Sequence, residues 1–316
     1  MSKISIVVPV YYNSDTLELL YEDMKEKILG KLGDYELVFV DDGSKDNSWE
    51  IIQKIAAKDD RVVATKLSRN FGEHSAILAG LSVCTGDCAV TKQADLQEDS
   101  TLILDMYESW KKGNKVVLAI RESRDENPIK KFFASCYYWL VRKTINKDMP
   151  KGGCDCYLVD RDAIEVLKLM DEKNSSLTLQ VMWIGFKTDR IYYHRKDREI
   201  GKSRWTLGKK IKLVVDSMMS FSYFPIRCMA TAGTIMALLS IIGIIMVIHE
   251  KVTVGTPILG YASIMCVILF GFGAMFIMLS VLGEYIWRTL EEARKRPPFI
   301  IDEVHRSSGE KTDKDD

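Results

Sequence analysis

Apolar and polar positions along the chain form two unlike regions that meet near residue 227. Upstream, short apolar runs alternate with amphipathic ones. Ile4–Val10 and Tyr35–Val40 are nearly continuous apolar runs, which predicts strands buried on both faces. Val62–Leu67, Cys88–Lys92 and Lys115–Ile120 predict further strands. Between them, Asp15–Leu29, Asp46–Lys58, His74–Val83 and Ser100–Lys112 have helical periodicity, with Asp46 or Asn47 placed to cap the second. Strands alternating with helices in this way imply an α/β fold with a mostly parallel sheet between helical layers.

Downstream the pattern changes. Cys228–Ile248 carries no charged side chain and has about the ~20 residues that cross a bilayer core. After His249-Glu250-Lys251, charge is again absent from Val252 to Gly283, with Pro257 at the expected entry of a second span. Gly271, Gly273 and Ala274 supply the small residues that let membrane helices pack closely. Trp205–Phe224 sets Leu207, Ile211, Val214, Val215 and Met218 against Lys209, Lys210 and Lys212, the pattern of an amphipathic helix at a lipid interface. The aromatic group Phe132, Phe133, Tyr137, Tyr138 and Trp139 also has helical spacing, and suits either a core or a membrane surface. Arg227 precedes the first span, and Arg288, Arg294, Lys295 and Arg296 follow the second, while the connection holds only Lys251. This bias places both long ends in the cytoplasm. The expected organisation is a cytosolic domain over 1–204, an interface helix over 205–227, a two-span hairpin over 228–283 and a cytosolic tail over 284–316. Residues 307–316 read as disordered, and two spans per chain would pack more comfortably in a homo-oligomer.

Composition narrows the functional classes. The 316 residues hold 44 Lys+Arg against 44 Asp+Glu, so no net positive field recruits nucleic acid. The mean hydropathy of −0.05 averages over the two regions and hides the apolar one. Seven scattered Cys suit reduced thiols better than a disulfide framework. Cys154 and Cys156 stand too close for the usual spacing of structural zinc ligands.

In a parallel sheet, ligands bind beyond the carboxyl ends of the strands. Those ends carry Pro9-Val10-Tyr11, Asp41-Asp42-Gly43-Ser44 and Gln93-Ala94-Asp95. No dinucleotide-binding glycine fingerprint follows the first strand, and no P-loop occurs. Carboxylates line the expected crevice instead. Asp42 can accept from a base N–H or a ribose hydroxyl, and Asp95 can hold a hard divalent cation bridging a diphosphate. Each cluster taken alone also suits a turn or a helix cap.

Four clusters in order, Val8-Pro9-Val10-Tyr11-Tyr12-Asn13, Val40-Asp41-Asp42-Gly43-Ser44, Arg69-Asn70-Phe71-Gly72 and Ala94-Asp95-Leu96-Gln97, resemble the family-two inverting glycosyltransferases of GT-A fold. Gly153-Cys154-Asp155-Cys156-Tyr157-Leu158, Arg198-Glu199-Ile200-Gly201-Lys202-Ser203-Arg204, Phe224-Pro225-Ile226-Arg227 and Gly283-Glu284-Tyr285 narrow the resemblance to polyisoprenyl-phosphate glycosyltransferases. That group includes dolichyl-phosphate mannose synthases and bacterial bactoprenol glucosyltransferases, and two terminal spans are similar to the bacterial branch.

The resemblance implies hexose transfer from a nucleotide-diphosphate sugar, such as UDP-glucose, to undecaprenyl phosphate at the bacterial inner membrane. It implies that Pro9, Tyr11 and Asn13 line the nucleotide pocket, with Val40 and Asp42 opposite. Gln93, Ala94 and Asp95 occupy the D-x-D position, with Asp95 and Gln97 at Mg2+ or Mn2+. Arg121, Arg198 and Arg204 would meet diphosphate or lipid phosphate, a task suited to a planar guanidinium. Asp155 would orient the acceptor or remove a residual proton.

Two departures stand out. Gln93 replaces the first aspartate of D-x-D and removes one negative charge, and Asn13 replaces an acid found in some relatives. Two rival functions have less support. A processive polysaccharide synthase would carry Gln-x-x-Arg-Trp, and the chain has Gly201-Lys202-Ser203-Arg204-Trp205. An inactive nucleotide-sugar-binding anchor has only Gln93 in its favour.

Overall fold

The computed structural model describes residues 2–122, 128–150, 152–170, 172, 175–195, 207–253 and 260–306. Alternate residues of its first strand, β1 (Lys3–Val10), enter different cores. Ile4, Ile6, Val8 and Val10 join one cluster, and Val7 joins the other. The second strand, β2 (Asp34–Asp41), repeats the division, with Leu37 and Phe39 on one side and Val38 and Val40 on the other. Side chains of a strand project to opposite faces, so a strand apolar at nearly every position must be covered on both.

The cover on the first face comes from α1 (Ser14–Met24), α2 (Ser48–Ala56) and α4 (Leu102–Lys111), which contribute Leu17, Leu20, Ile52 and Met106. On the second face, α3 (Glu73–Val83), α6 (Arg161–Leu169) and α7 (Leu177–Trp183) contribute Ile77, Leu81, Ile164 and Val181. The remaining strands are β3 (Val62–Leu67), β4 (Cys88–Thr91), β5 (Val116–Arg121), β6 (Cys154–Asp160), β7 (Thr188–Tyr193) and β8 (Ile301–Arg306). They form one sheet in the order β7-β5-β6-β4-β1-β2-β3-β8. β1 lies parallel to β2 and β4, β2 to β3, and β5 to β7, whereas β6 and β8 are antiparallel to their neighbours. The mostly parallel α/β sheet expected from the alternation is present.

Several boundaries differ from those expected. Helix α1 ends at Met24, and Lys25–Leu29 continues as a π-helical turn. At the start of α2 it is Asp46 whose carboxylate accepts from the Ser48 amide at 3.2 Å, while Asn47 makes no side-chain cap. The aromatic group falls on α5 (Pro128–Thr144), as its spacing predicts. The tail expected from residue 284 onward instead contains β8, which closes the sheet against β3. Ile301 and Val304 lean on the second core, and a six-residue edge strand carrying Asp302, Glu303, His305 and Arg306 has too little apolar pattern to announce itself.

At the amino edge of the sheet, Glu36 is buried among donors. It accepts from Ser5 Oγ at 2.6 Å and Thr85 Oγ1 at 2.8 Å, and pairs with Lys3 at 3.1 Å. Burial alone would raise its pKa, but the hydrogen bonds from Ser5 and Thr85, with the charge of Lys3, hold it below the ordinary value. The carboxylate thus ties the α3–β4 turn to the starts of β1 and β2, at the end of the sheet away from the expected crevice.

The chain divides into two compact units, Met1–Val214 with Pro297–Asp316, and Val215–Arg296. Helix α8 (Leu207–Phe221) runs across the first boundary. In the second unit, α9 (Phe224–Thr253) and α10 (Tyr261–Ala293) contain stretches long and apolar enough to cross a membrane, Phe224–Gly243 and Phe270–Ala293. Ile235, Leu239, Ile245, Phe270, Phe276 and Ile277 are large apolar side chains left more than half exposed. Helix α10 continues ten residues beyond the expected end at Gly283 and, at 1.5 Å per residue, is about 50 Å long. On this extension Arg288 binds Glu284 of its own helix at 3.0 Å and Asp216 of α8 at 2.7 Å, which fastens the amphipathic helix to the end of the apolar one.

Helix α3 lies against the sheet so closely at Gly80 that a Cβ there would collide with Val7 Cγ1 and stand 3.1 Å from Val40 Cγ2. We therefore expect Gly80→Ala to destabilise the chain by about 1–3 kcal/mol through overpacking. Thermal unfolding of the whole chain in detergent, followed by tryptophan fluorescence, measures this as a lowered midpoint.

Candidate active site

The strand ends meet through hydrogen bonds between loops. Asp42, the residue after β2, is 2% exposed. Its Oδ1 accepts from the Phe71 amide at 2.6 Å and its Oδ2 from the Gly72 amide at 2.9 Å. Both oxygens are therefore engaged in holding the turn that opens α3. Gly43 permits the approach. It has φ +66°, and a Cβ would stand 2.5 Å from the Arg69 carbonyl carbon and 2.6 Å from Asn70 N. Burial pushes the Asp42 pKa up to about 6, against the pull of the Phe71 and Gly72 amides and with added repulsion from Asp41 and Glu73.

The β1–α1 loop is built by short polar side chains. Tyr11 N donates to Asn13 Oδ1 at 3.0 Å, Tyr12 N to Ser44 Oγ at 2.9 Å, and Asn13 N to Ser48 Oγ at 3.0 Å. Thr16 Oγ1 then donates to the Ala94 carbonyl at 2.7 Å, joining this loop to the one after β4.

The β4–α4 loop carries the acidic centre and is stapled at its base. Lys92 is 2% exposed, and its Nζ donates to the Glu98 carbonyl at 2.5 Å and stands 3.9 Å from Glu98 Oε2. Tyr193 OH, at the end of β7, donates to Glu98 Oε1 at 3.3 Å. A buried ion pair with hydrogen-bonded neighbours is costly to break from one side, so it holds the ends of the loop together. Between them Leu96 has φ +60°, a left-handed conformation that L residues rarely take. Asp95 Oδ1 accepts from the Gln97 amide at 3.2 Å. Arg195 Nη2 stands 3.4 Å from Asp95 Oδ2 and also donates to Gln97 Oε1.

Most of the expected residues can be placed. Pro9 is paired in register with Val40. The Val40 side chain is fully buried in the second core, so only its backbone is placed to contribute at the strand end. Tyr11 is exposed at the sheet end, and Asn13, Gln93, Asp95 and Gln97 are half-buried there. Ala94 is buried, with its carbonyl bound to Thr16. Arg121, at the end of β5, is 5% exposed and in register with Tyr193, and its Nη2 lies 3.1 Å from where a Gly153 Cβ would stand. Asp155 is the second residue of β6, and its side chain lies outside the described residues, as do Arg198 and Arg204. The structure joins Asp95 with Gln97 and Gln93 with Glu73. Sequence reasoning overlooked Lys92, Glu98 and Glu73, and it placed Arg195 only within the basic loop 195–204 without singling it out. A lysine ending an otherwise apolar strand, followed six residues later by an acid, was the available signal for the staple.

Asp95 and Gln97 fit a hard divalent cation, because their oxygens already converge on a single positive group, one nitrogen of Arg195. No cluster of three or more acidic, His or Cys ligands occurs among the described residues. One carboxylate and one amide oxygen suit an ion that takes its other ligands from phosphate and water.

A mostly parallel sheet whose strand ends gather carboxylates beside an oxygen-donor pair is the arrangement a GT-A-like glycosyltransferase fold calls for, and the family match supplies the class. Residues 5–164 match Glycosyl transferase family 2, and the chain belongs to that family. It is 35% identical over 305 residues to a prophage bactoprenol glucosyl transferase homolog of Escherichia coli, covering 96% of this chain and 100% of that one. It is 34% identical over 300 residues to the bactoprenol glucosyl transferase of Shigella phage SfX, covering 95% and 98%. An uncharacterized glycosyltransferase of Bacillus subtilis is 37% identical over 298 residues, covering 94% and 92%. Among solved structures, mannosyl-3-phosphoglycerate synthase from Rubrobacter xylanophilus aligns with a TM-score of 0.47 at 14% identity, covering 68% of this chain and 71% of that one.

The raised Asp42 pKa sets a pH dependence. Its ordinary value is 3.8 and its folded value about 6, so between them the folded chain holds the proton that the unfolded chain has released. The contribution of Asp42 to stability is therefore full below about pH 4 and falls as pH rises through 6. Unfolding of the wild type and of Asp42→Asn, compared from pH 4 to 7.5, should show the wild-type advantage shrinking over that window. The variant should be about 1–3 kcal/mol less stable at the acid end, since an amide cannot accept from both backbone N–H groups.

Proposed function

We propose that this glycosyltransferase moves a hexose, with inversion, from a UDP-sugar to the phosphate of a membrane polyprenyl phosphate. The observation that carries the reading is the union, in one chain, of a carboxylate-lined crevice with two helices apolar enough to lie in a bilayer. The full-length similarity to proteins named bactoprenol glucosyl transferase supports the same acceptor.

The chemistry follows from charge. The acceptor phosphate is an oxyanion at neutral pH and needs little help from a base. One of its oxygens forms the new bond to the anomeric carbon as the bond from that carbon to the UDP oxygen breaks, and the electron pair leaves with UDP. A divalent cation at Asp95 and Gln97 would supply Lewis-acid shielding of the diphosphate. Tyr11, Asn13 and the backbone at Pro9 and Val40 bind the nucleotide in this reading, and Asp42 supports that pocket by fixing the turn before α3. Arg121, Arg198 and Arg204 meet phosphate oxygens, where a planar guanidinium can pair two at once. Asp155 orients the acceptor phosphate. Arg195, which binds Asp95 and Gln97, occupies the place where these two oxygens would hold a cation, and its guanidinium suits the diphosphate beside it.

Purified full-length protein incubated with radiolabelled UDP-glucose and undecaprenyl phosphate in detergent tests the reading. The expected product is a one-sugar glycolipid, formed only with the lipid phosphate and identified by mass spectrometry against a panel of nucleotide sugars. Asp95→Asn should lower its rate by roughly two orders of magnitude with the fold intact. A polymer would indicate a processive synthase, and nucleotide binding with no product an inactive anchor; either would overturn the proposal.

We also place both termini in the cytoplasm, since basic residues flank the two apolar helices on the same side. With the native cysteines replaced, a cysteine at Thr253 should react with an impermeant maleimide in intact cells. Reaction only after lysis would reverse the orientation.

A further inference from the structure

Gln93 stands where the family resemblance expects an aspartate, and the structure shows what its amide does. Gln93 Nε2 donates to Glu73 Oε1 at 2.6 Å. Glu73 is the first residue of α3, where a negative charge is favoured by the helix dipole. Its place is set from below, because the two preceding amides, Phe71 and Gly72, are held by Asp42. A carboxylate oxygen accepts and an amide nitrogen donates, so this contact decides which way round the Gln93 amide lies. The nitrogen must face Glu73, and Oε1 is turned away from it. Among the described residues no hydrogen bond is made to Gln93 Oε1. Both side chains are half-buried, and Gln93 is two residues from Asp95 on the same loop.

We propose that Glu73 is a positioning residue for donor binding, and that Glu73 and Gln93 act as one unit. Glu73 supplies the negative charge that position 93 lacks, and Gln93 presents a neutral, oriented acceptor oxygen to the hydroxyl groups or cation of the nucleotide donor. The inference rests on the nucleotide-sugar reading of this crevice. It reverses a simple expectation about Gln93→Asp. Restoring the absent aspartate would set a second carboxylate opposite Glu73, one methylene back from the amide it replaces, where like charges repel. The unit is instead restored by neutralising the other member, with the amide of Glu73→Gln removing the repulsion and able to donate toward the carboxylate of Gln93→Asp.

Isothermal calorimetry of UDP binding to the full-length protein in MnCl2, with thermal unfolding as a check on the fold, provides the test. Gln93→Asp alone should weaken UDP binding roughly tenfold or more. Glu73→Gln alone should weaken it by a smaller factor, since the amide at 93 loses its fixed orientation. Glu73→Gln combined with Gln93→Asp should recover most of the wild-type affinity, which independent effects would not produce. All three should unfold within a few degrees of the wild type, both side chains being partly exposed. Binding by Gln93→Asp as tight as wild type, or a combined variant no better than Gln93→Asp, would overturn the proposal while leaving the nucleotide-sugar reading in place. Failure of the wild type to bind UDP would overturn both.

Discussion

The buried carboxylate of Asp42 is the contact on which the site depends. It sits at the end of a central strand, away from water, and its two oxygens take the amide protons of Phe71 and Gly72. Those bonds orient the start of α3, which brings Glu73 to Gln93, and so reach the loop that carries Asp95. Burying a carboxylate is unfavourable unless its oxygens are satisfied. The arrangement is stable because two backbone donors meet it, and they can meet it only because Gly43 leaves room for residues 69 and 70.

The sheet explains why these loops converge. Parallel strands covered on both faces bring their carboxyl ends to one edge, and the two cores act as fixed walls behind it. Rigidity is then added locally. Lys92, Glu98 and Tyr193 close the base of the β4–α4 loop, and Thr16 ties it to the loop after β1. The opposite edge has its own knot at Glu36, a buried carboxylate bonded by Ser5 and Thr85 and paired with Lys3. One buried acid thus steadies each end of the sheet, Glu36 at the closed end and Asp42 at the working end.

Much of this was legible in the chain. The strands Ile4–Val10 and Tyr35–Val40 stand out because burial on both faces demands apolar residues at nearly every position. The clusters at Tyr11, Asp42 and Asp95 could be assigned to a common edge by topology alone. What could not be read is pairing between distant side chains. Glu73 looks like an ordinary helix-start acid, and only the fold reveals that Gln93 faces it. Arg195 was one cation among several in a basic segment, and its contact with Asp95 spans a hundred positions of sequence. The antiparallel strand Cys154–Asp160 was hidden by its mixed composition, and Ile301–Arg306 by its charges.

That last strand ties biosynthesis to architecture. The chain leaves the sheet-bearing unit after Val214, runs through both long apolar helices, and returns at Pro297 to lay β8 along β3. During translation β3 is therefore an open sheet edge until more than 200 further residues have been made. An open edge invites pairing with other chains. The ribosome must deliver α9 and α10 before the edge is covered, so the sheet is sealed only after the apolar hairpin has been synthesised. A chain cut short within those helices would carry a nearly complete crevice and an unprotected flank.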